Sequence, residues 1–246
     1  MKKIVFIFLA LVMMFSLVAC DGGADTSKDV SGDVSADTSV SFPAEPMTYA
    51  EYIAAPVDAP VYVETYVQGH QSWWDNKITV YCQSEDGGIF LYELACTEED
   101  AAKLTKGTKI AVKGYKATFN GEVEIVDGTF TFVEGGDTFV AEALDVTNLL
   151  GTEDMEKHQN EFVSFKGMTV NKIEYKNGEP GDDIYVTLDK DGKSYSFCVE
   201  IYLTGKDSDV YTTVGTLEAG DVVDVEAFLY WYEGMNPHIT SVKANG

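Results

Sequence analysis

The sequence predicts a mainly β protein built as two small barrels in tandem, and three observations carry that reading. The first is an internal repeat. LTKGTKIAVKGYKATFNGEVEIV (104–126) aligns without gaps on LEAGDVVDVEAFLYWYEGMNPHI (217–239), pairing Leu104 with Leu217, Gly107 with Gly220, Val112 with Val225 and Gly121 with Gly234. Upstream, ITVYCQSEDGGIFLYEL (78–94) aligns on IYVTLDKDGKSYSFCVE (184–200), each with an Asp-Gly turn between alternating runs. The second is that alternation itself, which is the period of a half-buried strand. The third is a short helix signal between the third and fourth strands of the first copy.

The elements of that copy follow in order. Thr48 and Glu51 stand at capping-box spacing and open a small leading helix over TYAEYIAA. Val61 to Gln71 is a β-branched and aromatic run, and Ile78 to Gln83 is a second. Asp86, Gly87 and Gly88 supply a turn, and Phe90 to Leu94 forms the third strand. In TEEDAAKL (97–104), Thr97 caps a short helix with Asp100 as its box partner. Thr108 to Lys116 then alternates, with Ile110, Val112 and Gly114 on one face and Lys109, Ala111, Lys113 and Tyr115 on the other. Asn120–Gly121 suits a two-residue hairpin turn, which places Val123 and Ile125 on the face of Val112. The second copy opens on its own candidate helix, TEDMEKHQ (152–159).

Strand, strand, strand, helix, strand, strand is the order of the OB fold, a five-stranded Greek-key barrel. The chain resembles OB-fold modules of bacterial exported proteins over about residues 47–140 and 142–246, and most nearly tandem-OB lipoproteins of Gram-positive gut bacteria. The resemblance rests on element order and on the fourth-strand pattern G-x-x-I/V-x-V-x-G/A-Y/F, from Gly107 to Tyr115 and from Gly220 to Phe228. It implies two OB-like domains, 47–141 and 142–246, and brings no ligand signature with it. An immunoglobulin-like sandwich is the alternative, and the helix between strands three and four argues against it.

The N-terminus addresses the chain to a membrane surface. Lys2 and Lys3 precede the apolar run IVFIFLALVMMFSLVA, the layout of a signal peptide over residues 1–20. Leu17-Val18-Ala19-Cys20 resembles the bacterial lipobox, so Cys20 is expected to carry the lipid, and two or more acyl chains make a stable anchor. Asp21 after the cysteine resembles the signal for retention on the inner of two membranes. Residues 21–46, rich in Asp, Ser, Gly and Thr, read as a disordered acidic tether. The expected location is therefore the extracytoplasmic face of the cell membrane.

Charge and cysteines bound the partners. The chain has 17 lysines, no arginine and 41 acidic residues. Phosphate recognition rests on cations that release counterions, and arginine makes the commonest specific base contact, so nucleic acid is expected to be an unlikely partner. A glycan or a surface protein is the expected ligand. If Asp86–Gly87 turns a hairpin, Cys82 faces roughly position 91 and Cys96 roughly position 77, beyond disulfide reach. Cys82, Cys96 and Cys198 are expected as free, buried thiols.

The candidate contact residues are aromatic. Trp73 and Trp74 fall on the connection between strands one and two, which borders the binding face of an OB barrel. Phe119 and Asn120 lie on the facing loop between strands four and five. In the second copy Tyr175 falls in the connection KIEYKNGEPGDD, while Trp231 and Tyr232 sit at the strand four–five turn with Asn236 and His238 behind. Alternation assigns part of this set to packing: one of Trp73 and Trp74 faces inward, and Trp231 shares a face with Val223 and Val225.

Other motifs point away from chemistry. LDKDG (188–192) lacks an acidic twelfth ligand for a calcium loop and reads as an Asp-Gly hairpin turn. His70, His158 and His238 stand singly, without metal-ligand or triad spacing. Asp182–Asp183 and Glu98–Glu99 read as a solvated turn and a helix start. Lys106, Lys109 and Lys113 form the one basic strip, read as a solvent-facing edge. The expectation is a non-enzymatic binding protein without cofactor or metal; a single-stranded nucleic-acid accessory and a structural spacer are the alternatives.

Overall fold

Eleven-residue strand β1 (Pro60–His70) hydrogen-bonds to β2 (Lys77–Ser84) on one edge and to β4 (Lys109–Phe119) on the other. With β3 (Gly87–Ala95) and β5 (Glu122–Phe132) they close a barrel in the order β1-β2-β3-β5-β4. The computed structural model describes residues 41–245. The signal segment, the lipobox with Cys20 and residues 21–40 of the tether lie outside the described residues.

Helix α1 (Tyr49–Ala54) carries the Thr48/Glu51 capping box in full. Helix α2 (Glu98–Ala101) is capped by the Thr97 side chain. Asn120 and Gly121 take φ of 49° and 94°, the left-handed pair that a two-residue hairpin turn requires. The inward row Val61, Val63, Ile110, Val112 and Ile125 is fully buried, as the alternation requires.

The second barrel repeats the order. Strands β7 (Phe162–Tyr175), β8 (Ile184–Lys190) and β9 (Lys193–Val199) form a meander. After them come β10 (Val222–Phe228) and β11 (His238–Ala244). Strand β11 lies between β9 and β10, and β10 also pairs with β7, which closes the ring. The two-residue β6 (Leu144–Asp145) runs parallel to β7. Helices α3 (Ile201–Thr204) and α4 (Asp209–Val214) occupy the place of α2. The protein is thus mainly β, with two OB-like barrels, and the sandwich alternative falls with the closure of each ring.

Four local expectations are corrected. The β2–β3 turn is Glu85–Asp86, and Gly87 and Gly88 lie in β3, so Cys82 faces Ile89 rather than position 91. All three described cysteines are still buried and free. The second leading helix is a 3-10 turn over Glu153–His158, whose Thr152 makes no side-chain cap. Tyr175 ends β7 instead of sitting in the connection, paired with Ile184 and packed on Tyr211 at 6.3 Å. Asp183 is buried rather than solvated, because its carboxylate accepts from the Ile201 amide and from Lys176 Nζ.

The barrels are welded by aromatic rings. Tyr81 stacks on Phe228 at 4.6 Å with an interplanar angle of 17°, and Phe90 and Phe162 complete the cluster. The Tyr81 hydroxyl and His238 Nδ1 share a buried 2.7 Å hydrogen bond. The Phe162 amide donates to Gln83 Oε1 at 2.7 Å. The connecting segment is also fixed, since the Gln68 side chain donates to the Phe139 carbonyl and accepts from the Ala141 amide. Tyr81→Phe is expected to lower stability by about 1–2 kcal/mol, because it strands a buried ring nitrogen of His238; thermal unfolding measures it.

Candidate functional site

Alternation in a barrel sends every second side chain outward, and an outward ring in water is ordinary when it stands alone. Here the outward rings do not stand alone. Six aromatic side chains are exposed among the described residues: Trp74, Tyr92, Phe119, Tyr185, Tyr202 and Tyr232. All six line one of two cavities between the barrels, and Gln71 borders both.

The smaller cavity, about 380 Å³, lies at the β1–β2 connection. Trp73 is half-buried against the first core and donates from Nε1 to the Cys96 carbonyl at 2.8 Å, so it plugs the barrel end. Trp74 turns the other way and is 79% exposed. Asp75 and Asn76, both at positive φ, reverse the chain there, and the Trp74 amide and carbonyl pair with Lys77. Lys77 is ion-paired to Glu93 at 2.7 Å, and Tyr202 closes the far wall from α3.

The larger cavity, about 600 Å³, is a cleft walled by both barrels. Its first wall is Phe90 and Tyr92 of β3, Phe119 at the end of β4, and Glu124 of β5. Its second wall is Asp183, Tyr185, Cys198 and Glu200, with Tyr230, Tyr232 and Asn236 from the β10–β11 connection and His238 at the start of β11. The two strand four–five loops meet here. The Glu233 amide donates to the Asn120 carbonyl at 2.7 Å, and Phe119 lies 6.0 Å from Tyr232. Trp231 is half-buried on the second core, its amide donating to Glu122 Oε2. His238 is buried and stacks on Tyr230 at 4.4 Å.

The charges in the cleft are one-sided. Among the described residues no lysine lines it, while Glu124, Asp183 and Glu200 do. Burial pushes the Glu124 carboxyl up to about 7 and raises that of Glu200, and it holds His238 down to about 4, so the imidazole is neutral. Asp183 is held by Lys176 and by the Ile201 amide, and Glu200 caps α3 through the Tyr202 and Leu203 amides. The outer lysines are occupied elsewhere. Lys109 pairs with Glu64 at 3.1 Å, Lys113 lies over the Tyr62 ring at 4.6 Å, and Lys106 lies over Phe162 at 4.9 Å. The LDKDG segment is a turn at Asp191–Gly192, with the Asp189 carboxylate taken by Ser194 and Asn171.

No protein-family model matches this chain, and no curated protein does. Solved structures share its path loosely. The p204 HINb domain is 14% identical at a TM-score of 0.34, covering 77% of this chain and 98% of that one. The Ifi202 HINa domain in complex with 20bp dsDNA is 12% identical at 0.34, with 77% and 97% covered. A Replication Protein A heterotrimer bound to ssDNA is 11% identical at 0.31, with 76% and 49% covered. Two of these structures hold DNA, against the expectation that nucleic acid is an unlikely partner, and that expectation is withdrawn. The physical reason is that net charge bears on phosphate contacts alone, whereas stacking of bases on exposed rings needs no cation.

Of the nine candidate contact residues, the fold brings Phe119, Asn120, Trp231, Tyr232, Asn236 and His238 to the meeting of the two loops, although Trp231 and His238 face into packing. Trp73 and Trp74 sit at the adjoining cavity, and Tyr175 stands apart. Sequence reading missed Tyr92, Glu124, Tyr185 and Tyr202. An outward Tyr on a strand carries no local mark of the surface it will face.

Proposed function

We propose that this chain is a non-enzymatic binding protein, held at the outer face of a cell membrane through lipidated Cys20, that takes a ring-bearing ligand along the groove between its barrels. The observation that carries this reading is the placement of all six exposed aromatic rings of the described residues on two adjoining cavities. The lipobox, the signal run and the tether support the location.

Ring faces stack on flat partners. Glycans offer the CH faces of sugars, and the carboxylates Glu93, Glu124, Asp183 and Glu200 along the groove suit sugar hydroxyls as hydrogen-bond acceptors. Single-stranded nucleic acid is the second reading, since the same row of rings is a stacking platform worth about 1–3 kcal/mol per base. One experiment separates them: Trp fluorescence of the purified protein titrated with oligosaccharides and with single-stranded oligonucleotides, at low and high salt. A glycan ligand is expected to bind with little salt dependence, and Trp74→Ala and Tyr232→Ala are each expected to weaken it roughly tenfold, or about 1.4 kcal/mol. Oligonucleotide binding that falls steeply with salt selects the second reading. No response to either series overturns both.

A further inference from the structure

Glu124 is the one cleft carboxylate that nothing holds. It is 7% exposed and lines the cavity, and among the described residues no hydrogen bond or ion pair engages its side chain. The other two cleft carboxylates are occupied by backbone amides and Lys176. A carboxylate left with little solvent contact and no partner in the fold is costly, and a cation supplied through the cleft offsets that cost. Among the described residues the cleft has no lysine to do so.

What surrounds Glu124 narrows the cation. Tyr92 and Phe119 from one barrel and Tyr230 and Tyr232 from the other line the same space. Aromatic faces attract an ammonium through the negative charge of the ring face, and they offer nothing to a bare metal ion, which needs several oxygen ligands. Resting on the reading that this cleft holds ligand, we propose that it takes an organic ammonium group, with the charge on the Glu124 carboxylate and the methyl or methylene groups against the rings of Tyr92, Phe119, Tyr230 and Tyr232. Burial that holds the Glu124 carboxyl up to about 7 is consistent with a site waiting for a counter-charge.

The test uses the purified full chain with choline and its neutral carbon isostere, 3,3-dimethylbutan-1-ol, followed by intrinsic fluorescence and by calorimetry. Choline is expected to bind at least tenfold more tightly than the isostere. Glu124→Gln is expected to erase that preference while melting at the same temperature as the parent or higher, and Tyr232→Ala to weaken both compounds. Equal affinity for the two compounds, or a choline preference that survives Glu124→Gln, overturns the assignment. The comparison on the parent protein needs no variant to fold. If oligosaccharide or oligonucleotide binds in a Tyr232-dependent way while choline shows no preference, the groove reading stands and the ammonium assignment falls. Choline preference without any polymer binding does the opposite, keeping the ammonium site and removing the polymer ligand.

Discussion

Gly88→Ala is expected to wedge the two barrels apart. A Cβ at this position would stand 2.1 Å from the Asn160 carbonyl carbon, 2.2 Å from its oxygen and 2.5 Å from the Glu161 nitrogen. These are backbone atoms of the other half, so no rotamer change relieves the overlap. The segment that must retreat also carries the contacts that join the halves. Gln159 bonds the Gly121 carbonyl and the Val123 amide, Asn160 Nδ2 donates to the Val123 carbonyl, and the Phe162 amide donates to Gln83. The expected loss is on the order of 3 kcal/mol or more. Thermal unfolding should shift down by several degrees or split into two transitions, and small-angle scattering should report a larger radius. A melting curve indistinguishable from the parent would show that the barrels do not meet at Gly88.

Stability is expected to peak near pH 5 and to decline toward pH 8, against the usual trend for an acidic protein. Glu122 is fully buried between the barrels, and only its Oε2 has a partner, the Trp231 amide. Burial pushes its carboxyl up to about 8, and that of Glu124 up to about 7. Both folded values lie above the unfolded value near 4.5, so the folded state holds these protons more tightly. Their contribution is complete below about pH 4.5 and drains away as pH rises toward 8. His238 acts in the opposite sense. Its folded value of about 4 lies below the unfolded 6.5, so its contribution is present above 6.5 and is lost as pH falls toward 4. Burial raises the Glu200 carboxyl in the same direction, so three carboxyls stand against one imidazole and the balance tilts to the acid side. Glu122→Gln keeps an acceptor for the Trp231 amide and removes the charge. It is expected to stabilise the protein at pH 8 by on the order of 3 kcal/mol and to change little at pH 5. Urea midpoints of parent and variant at the two pH values measure this. A parent more stable at pH 8 than at pH 5 would contradict it.

Much of the fold was legible because its signals are local. The gapless match of 104–126 on 217–239 corresponds to strands in the same order within two rings. Thr48 and Glu51 form their box, and Asn120–Gly121 adopts the left-handed turn, because caps and turns are decided within four residues. Where local signals competed, strand pairing decided the outcome. SEDGG contains two adjacent turn candidates, and pairing with β2 draws both glycines into β3 instead. Tyr175 sits in a polar, Gly- and Asn-bearing stretch, yet the pairing of Lys172 to Tyr175 with β8 extends the strand past that composition.

The candidate site was legible only in half. Strand order alone puts Phe119, Asn120, Trp231, Tyr232, Asn236 and His238 at barrel ends, since such loops close every OB barrel. Neither Trp73 nor Trp74 could be assigned inward or outward by alternation, because the reversal at Asp75–Asn76 breaks the period just after them. Tyr92, Tyr185 and Glu124 look like any outward residues of a strand.

The sequence by itself determined the address expected for this chain, the doubling of one β unit and the order of its strands. Hydrophobic period, capping residues and turn residues act between near neighbours along the chain, so each is written where it works. Only the tertiary structure decided that the two barrels pack face to face and enclose a ring-lined cleft with no lysine among its described walls. That surface exists because Tyr81 lands on Phe228 and the Glu233 amide on the Asn120 carbonyl. Contacts between residues so far apart follow from shape complementarity of folded units, which no local pattern encodes.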